Sequence, residues 1–230
     1  MLKAAIVGGL LAIGAGTFVV LNPLLFGFET GVPHDKFFVY TKHFMLDGEL
    51  ELVRPNIPEQ DFERYRNHCL RVMTFTKHHL PEFVFEEYPN AMNIVAMAVA
   101  YHDVGLWTDG ELNYLEPSAK RMEFHATKEA VFEEKHIDIA RQIIMQHHKL
   151  THYSGDSSEA VNAIVNAVRK ADWADATFGI IRFDLPAALL EAAYAKVPEG
   201  GFHKMLAGMG PRLSPNGKLG QLAVLNIFKW

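Results

Sequence analysis

The chain has 230 residues, of which 49% are hydrophobic and 21% charged, and this composition fits one globular domain or one domain with an appendage. The net charge of −5 and the lack of a basic run exclude nucleic acid as an expected partner. The single cysteine, Cys69, excludes an intrachain disulfide and the cysteine-rich zinc modules, so the 12 histidines are the residues that need an explanation.

The first predicted element is an N-terminal membrane anchor, residues 1–28. Residues 4–28, AAIVGGLLAIGAGTFVVLNPLLFGF, contain no charged side chain and are long enough to cross a hydrocarbon core of about 30 Å as a helix. A cleaved signal peptide, or a hydrophobic helix that is buried or lies on a surface, are the alternatives. The flanking charges favour a cytoplasmic N-terminus only slightly, so the side of the membrane stays open, as does the oligomeric state.

Residues 29–56 contain scattered glycines, prolines and charges, which are typical of a connector, with one short extended piece at residues 50–53 (LELV). From residue 57 onward the apolar residues recur at three-and-four spacing, and no alternating run requires a sheet. The sequence therefore predicts an all-α domain over residues 57–200. Residues 201–230, which are rich in glycine and proline, are expected to form a tail that packs on this domain.

Five helical segments of the domain each direct a histidine or an aspartate inward. The predicted helices are residues 58–80, 90–103, 123–135, 137–150 and 158–181, separated by a long loop at 104–122. The inward polar residues are His68, His102, Asp103, His125, His147, His148 and Asp172. Each alone could be a hydrogen-bonded core side chain, but a buried charge costs several kcal/mol unless it is paired or binds a metal. Together they predict a shared site for a divalent transition metal such as Fe, Mn or Zn.

Four of these residues resemble the metal set of the HD-domain superfamily of metal-dependent phosphohydrolases, over roughly residues 58–182. His102 and Asp103 end an apolar helix and are followed by Val-Gly, like the paired motif that gives the family its name. His68 matches the single histidine upstream, and Asp172, in VRKADWAD, matches the aspartate downstream. The resemblance implies an HD-domain helical bundle with a metal-binding interior.

Two further segments resemble the dinuclear branch of this superfamily, which includes cyclic-nucleotide phosphodiesterase-like enzymes and mixed-valent di-iron oxygenases. These segments are HATKEA, beginning at His125, and IIMQHH, ending at His147 and His148. For that branch the resemblance implies two ions bridged by Asp103. One ion would be held by His68, His102 and Asp172, and the other by His125 with one or both of His147 and His148.

The activity that the resemblance implies is hydrolysis of a small phosphoester by a metal-activated water held near Asp103. A histidine that is not a ligand, His148 or His152, would protonate the leaving group. Many hydrolytic members carry a lysine where this chain has Leu106, and no Gly-Tyr-Pro follows the double histidine. The alternative is therefore a di-iron oxygenase or a hydratase acting on a small non-phosphate substrate, and a metal-bound module without turnover is the third possibility.

Overall fold

The structure, a computed structural model, describes residues 36–110, 113–129 and 132–213. These ranges contain helices and loops and no strand, which confirms the all-α class. The expected anchor at residues 4–28 lies outside them. Within them, no helix combines the length and the apolar character that a membrane crossing requires.

Ten α-helices follow one another along the described residues. They are α1 (Phe44–Val53), α2 (Glu59–His79), α3 (Glu82–Glu87), α4 (Ala91–Tyr101), α5 (Gly105–Thr108), α6 (Leu115–Glu129), α7 (Glu134–Gln146), α8 (Glu159–Ala176), α9 (Ala187–Lys196) and α10 (Phe202–Leu213). A turn of 3₁₀ helix, Arg54–Asn56, joins α1 to α2. Helix α2 packs most extensively on α8, and α4 lies against α1, α2 and α7.

Helix α4 occupies the centre of the molecule, as its almost wholly apolar sequence predicts. Its residues from Ile94 to Tyr101 are all buried, so this stretch of the helix has no solvent-exposed face. The chain therefore leaves α4 inside the core, and the next two residues, His102 and Asp103, are buried as well. Asn90, the N-cap residue at its other end, makes no side-chain capping bond.

The connector expected at residues 29–56 is wrong in part, because residues 44–53 form helix α1 and belong to the core. Leu46, Leu50 and Val53 are fully buried at helical spacing, so the piece expected to be extended is helical. Gly48 lies in the interior of this helix, where glycine is unfavourable by about 1 kcal/mol relative to alanine. Burial of the apolar stripe against α4 outweighs that local preference.

The loop expected at residues 104–122 is also wrong in part, because α6 already begins at Leu115. Pro117 falls in its first turn, where proline is tolerated because the amide there has no partner within the helix. His125 therefore lies in the second half of a 15-residue helix and not at the start of a short one. This shift decides which neighbours His125 can reach.

Candidate metal centre

Five ionisable side chains converge at the point where α4, α7 and α8 end beside the middle of α2. His68 comes from α2, His102 and Asp103 follow α4, His147 follows α7, and Asp172 lies near the end of α8. All five are buried. Because α4 and α7 stop here, the residues that directly follow them, His102, Asp103 and His147, lie in the interior.

The first half of the cluster is built from two imidazoles and one carboxylate. The Nε2 atoms of His68 and His102 are 3.1 Å apart. Asp172 Oδ1 lies 3.3 Å from His68 Nε2 and 3.6 Å from His102 Nε2. Two ligand atoms that share one zinc-like ion, each about 2.1 Å from it, are roughly 3.0–3.4 Å apart. The first two separations fit a common ion, and the third, at 3.6 Å, is slightly longer.

Asp103 connects the first half of the cluster to a second half that contains His147. Asp103 Oδ2 is 3.3 Å from His102 Nε2, whereas its Oδ1 is 3.4 Å from His147 Nε2. The Tyr114 hydroxyl lies 3.3 Å from the same His147 nitrogen. Each oxygen of Asp103 therefore faces a different imidazole: Oδ2 faces His102 and Oδ1 faces His147.

All three imidazoles use their other nitrogen, Nδ1, to bond to an oxygen. His68 Nδ1 is 2.6 Å from Asp175 Oδ2, His102 Nδ1 is 2.6 Å from the Val99 carbonyl, and His147 Nδ1 is 2.8 Å from the Ile144 carbonyl. Carbonyl and ionised carboxylate oxygens only accept hydrogen bonds, so each Nδ1 carries a hydrogen. In a neutral ring the Nε2 lone pair then points into the cluster, which is the arrangement found in metal-ligating histidines.

Lone pairs and carboxylates that face one another require protons or a metal ion between them. Burial lowers the pKa of His68, but hydrogen bonds to Asp172 and Asp175 raise it to about 9. Burial also lowers the pKa of His147, and its bond to Asp103 brings about a net rise. Burial raises the pKa of Asp103, but His102 and the bond from His147 bring it to about 2. When no metal is bound, protons on the imidazoles therefore balance the carboxylates.

The donor set suits a transition-metal ion. His68, His102 and Asp103 each offer a ligand atom, and these three atoms lie within 4.8 Å of one another, which makes them a compact candidate group within the described part of the chain. Imidazole nitrogen combined with carboxylate oxygen is a ligand set suited to zinc, iron and similar divalent ions. A buried His/Asp metal site is thus available, whereas the number of ions and their identity are not fixed by this geometry.

Of the three remaining sequence candidates, His148 lies beside the cluster. It is buried, its ring centroid is 4.9 Å from that of His147, and it is 6.1 Å from the ring of Tyr114. The Trp173 indole donates to the His148 backbone carbonyl at 3.1 Å. The end of α8 therefore holds the double-histidine segment in place.

His125 and His152 lie in other surroundings. His125 Nδ1 is 2.7 Å from the Tyr101 hydroxyl, and its ring lines a cleft of about 700 Å³ together with Lys120 and Arg121. His152 is exposed and lines a second cleft, of about 310 Å³, with Lys170 among the other lining residues. The structure does not bring either residue into the cluster around Asp103.

The residues that contact His68 from outside the cluster, or bond to those residues, were not assigned a role from sequence. The bond from His68 to Asp175 was not predicted, and neither was the buried partner of Asp175, Arg71. The available signal was a single arginine inside the apolar run HCLRVMTF, three residues after His68. The packing of Phe202 on the His68 ring, with centroids 4.1 Å apart, joins residues 134 positions apart and had no local signal.

No known protein family, curated protein or solved structure matches this chain.

Proposed function

We propose that the chain is a metal-dependent hydrolase of the HD type that acts on a small phosphoester. The observation that supports this proposal is the set of three imidazole Nε2 atoms and two carboxylates directed at one another in a buried interior. A bound divalent ion supplies Lewis acidity and lowers the pKa of water at an open position. In this proposal the ligands are His68, His102, Asp103, His147 and Asp172.

Two groups next to the ligands would handle protons and orientation. His148 is buried against His147 and Tyr114, so we assign it, in preference to the exposed His152, to protonation of the leaving group. The Tyr114 hydroxyl, 3.3 Å from His147 Nε2, would orient the attacking water by hydrogen bonding. Neither role requires movement of a helix.

The phosphate group would be bound by the cations of the 700 Å³ cleft. Lys120 and Arg121 line it, and they could replace the lysine that many superfamily members carry where this chain has Leu106. The acidic Glu116 in the same cleft is bound by Arg141 at 2.7 Å. Asn113 also lines the cleft, and it precedes Tyr114, whose hydroxyl lies 3.3 Å from His147 Nε2.

The decisive experiment compares Asp103→Ala with Asp138→Ala, an exposed aspartate on α7 that serves as the matched control. We expect wild type purified without added metal to hold one or two ions per chain by elemental analysis and to release phosphate from at least one of a panel of small phosphoesters. Asp103→Ala should lose both the metal and the activity, while the control keeps both. Unchanged metal content in folded Asp103→Ala would refute the proposed site.

A specific observation favours a second candidate, a di-iron oxygenase or a hydratase on the same site. Aromatic rings lie beside the cluster: Tyr65 stacks on His102 with centroids 5.7 Å apart, and the Trp107 ring is 5.1 Å from that of Tyr65. Such walls suit a small substrate without a phosphate. Aerobically purified protein with about two irons and a mixed-valent EPR signal that changes with substrate would favour this candidate, whereas phosphate release with Mn²⁺ and without oxygen would exclude the oxygenase.

A further inference from the structure

Asp175 is a fully buried carboxylate that receives hydrogen bonds from three side chains. Arg71 donates to both oxygens, from Nε to Oδ1 at 2.6 Å and from Nη2 to Oδ2 at 2.9 Å. His68 Nδ1 donates to Oδ2 at 2.6 Å, and the Tyr194 hydroxyl donates to Oδ1 at 2.9 Å. Both carboxylate oxygens are therefore saturated, which is what a buried ionised carboxylate requires.

The arginine in this network is fixed in turn by the segment between α9 and α10. Arg71 Nη1 donates to the carbonyl oxygens of Val197 and Pro198, at 3.2 and 3.0 Å. At the start of α10, Phe202 stacks on the His68 ring with an interplanar angle of 12°. His68 is thus held at Nδ1 by a carboxylate and over its face by an aromatic ring.

The three imidazoles of the cluster differ in what they bond at Nδ1. His102 and His147 donate to neutral backbone carbonyls, and both acceptors lie three residues earlier in the chain. Only His68, among these three, donates to a carboxylate, and that carboxylate comes from another helix. A carboxylate that accepts the hydrogen bond from Nδ1–H makes Nε2 a stronger electron donor, and it fixes both the tautomer and the ring orientation.

We propose that Asp175 is the positioning residue of His68 and that, with Arg71 and residues 197–202, it makes His68 the dominant ligand of the site. This inference rests on the proposed metal centre. The effect is local, because Asp175 touches neither His102 nor His147 in any of the bonds described above. It also assigns a role to residues 197–202, which contact Arg71 through the Val197 and Pro198 carbonyls and His68 through the Phe202 ring.

The test is the zinc affinity of full-length Asp175→Asn, measured by chelator competition. Asparagine keeps the size of the side chain but removes the charge, so we expect the affinity to fall about 10–100-fold. Tyr194→Phe is the matched control: it removes one bond to Asp175 Oδ1 and leaves the His68 bond, so its affinity should stay within about threefold of wild type. Equal affinities for wild type and Asp175→Asn would overturn the inference, whereas wild type that binds no zinc would overturn the proposed function itself.

A second measurement does not depend on the folding of the variant. In zinc-loaded wild type, long-range ¹⁵N–¹H NMR should show His68 with a hydrogen on Nδ1 and none on Nε2, and the Nδ1 proton should exchange slowly because the pair is buried. A purely structural ion pair between Arg71 and Asp175 would not fix the tautomer of His68. Coordination of zinc through Nδ1, or an Nδ1 without a proton, would overturn the inference.

Discussion

A proton and a metal ion compete for the same atom of His68, its Nε2. The Nδ1 hydrogen is committed to Asp175, so any further proton binds on the side that faces the cluster. Burial opposes that second proton, but Asp172 and Asp175 stabilise the charged ring and bring the pKa of His68 to about 9. Near neutral pH, a metal ion must therefore displace a proton before His68 can bind it.

We predict that the zinc affinity of the protein rises with pH. Each proton displaced from a ligand changes the apparent affinity about tenfold per pH unit below the pKa of that ligand. His68, with a pKa of about 9, and His147, whose pKa is also raised, should together give a slope between about one and two from roughly pH 6 to 8. Chelator competition at constant ionic strength measures the slope, and a flat profile would contradict the raised pKa values.

The residues that meet in the buried cluster could be predicted from sequence, but the residues that contact them from outside the cluster could not. His68, His147 and Asp172 stand out because each continues an apolar helical stripe. The role of Asp175 depends on how α2 packs against α8, because its partner His68 is 107 residues away in the chain. Sequence periodicity shows which face of a helix is buried but not which helix packs against that face. The contacts around a site therefore depend on the tertiary structure.

Among the elements, periodicity alone predicted α2, α4, α7 and α8, and it failed for α1 and for the first half of α6. In α1 the presence of Gly48 and of nearby prolines suggested a connector. For α6 the expected loop runs to residue 122, seven residues past the observed start of the helix, and this misplaces His125 along the helix. Gly48 is tolerated because the apolar positions of α1 are buried against α4, whereas Pro117 is tolerated because it falls in the first turn of α6.

The contact between α5 and α6 leaves no room for a side chain at Gly105. A Cβ there would collide with the Tyr114 carbonyl oxygen and lie 2.9 Å from Ser118 Oγ, which accepts the Gly105 amide hydrogen bond. We predict that Gly105→Ala pushes these helices apart, lowers the free energy of unfolding by about 1–3 kcal/mol, and weakens zinc binding by shifting the turn that carries Asp103, two residues earlier in the chain. Urea unfolding and chelator competition measure the two effects.

Gly48→Ala is the control for this substitution, because it places the same methyl group at a helical glycine with free space around it. No atom lies within 4 Å of the added Cβ, and the position is interior to α1. Alanine should stabilise the protein by about 0.5–1 kcal/mol and leave zinc affinity unchanged. Equal stability changes for the two variants would contradict the steric explanation at Gly105.

Over the whole molecule, the buried cluster sets opposite pH limits on stability. The pKa values of Asp103, Asp172 and Asp175 are lowered, although burial alone would raise them. His102 and a bond from His147 lower the pKa of Asp103, and bonds from His102 and His68 lower that of Asp172. Arg71 and His68 lower the pKa of Asp175. Their stabilising contribution is present above the unfolded value of about 4 and is lost as the pH falls. The raised pKa of His68 acts in the other direction: its contribution is complete below about 6.5 and is lost as the pH rises through about 9.

Without metal, we therefore expect the free energy of unfolding to be highest between about pH 5 and 6.5 and to fall toward pH 9. A rise in the pKa of His68 from 6.5 to about 9 corresponds to a loss of roughly 3 kcal/mol over that range. Zinc-loaded protein should lack this alkaline decline, because the ion takes the place of the proton and binds more tightly as the pH rises. Urea unfolding at several pH values between about 5.5 and 8.5, with zinc or with chelator, measures both curves. The difference between them should widen with pH, and parallel curves would mean that the protons of the cluster and the metal do not share the same site.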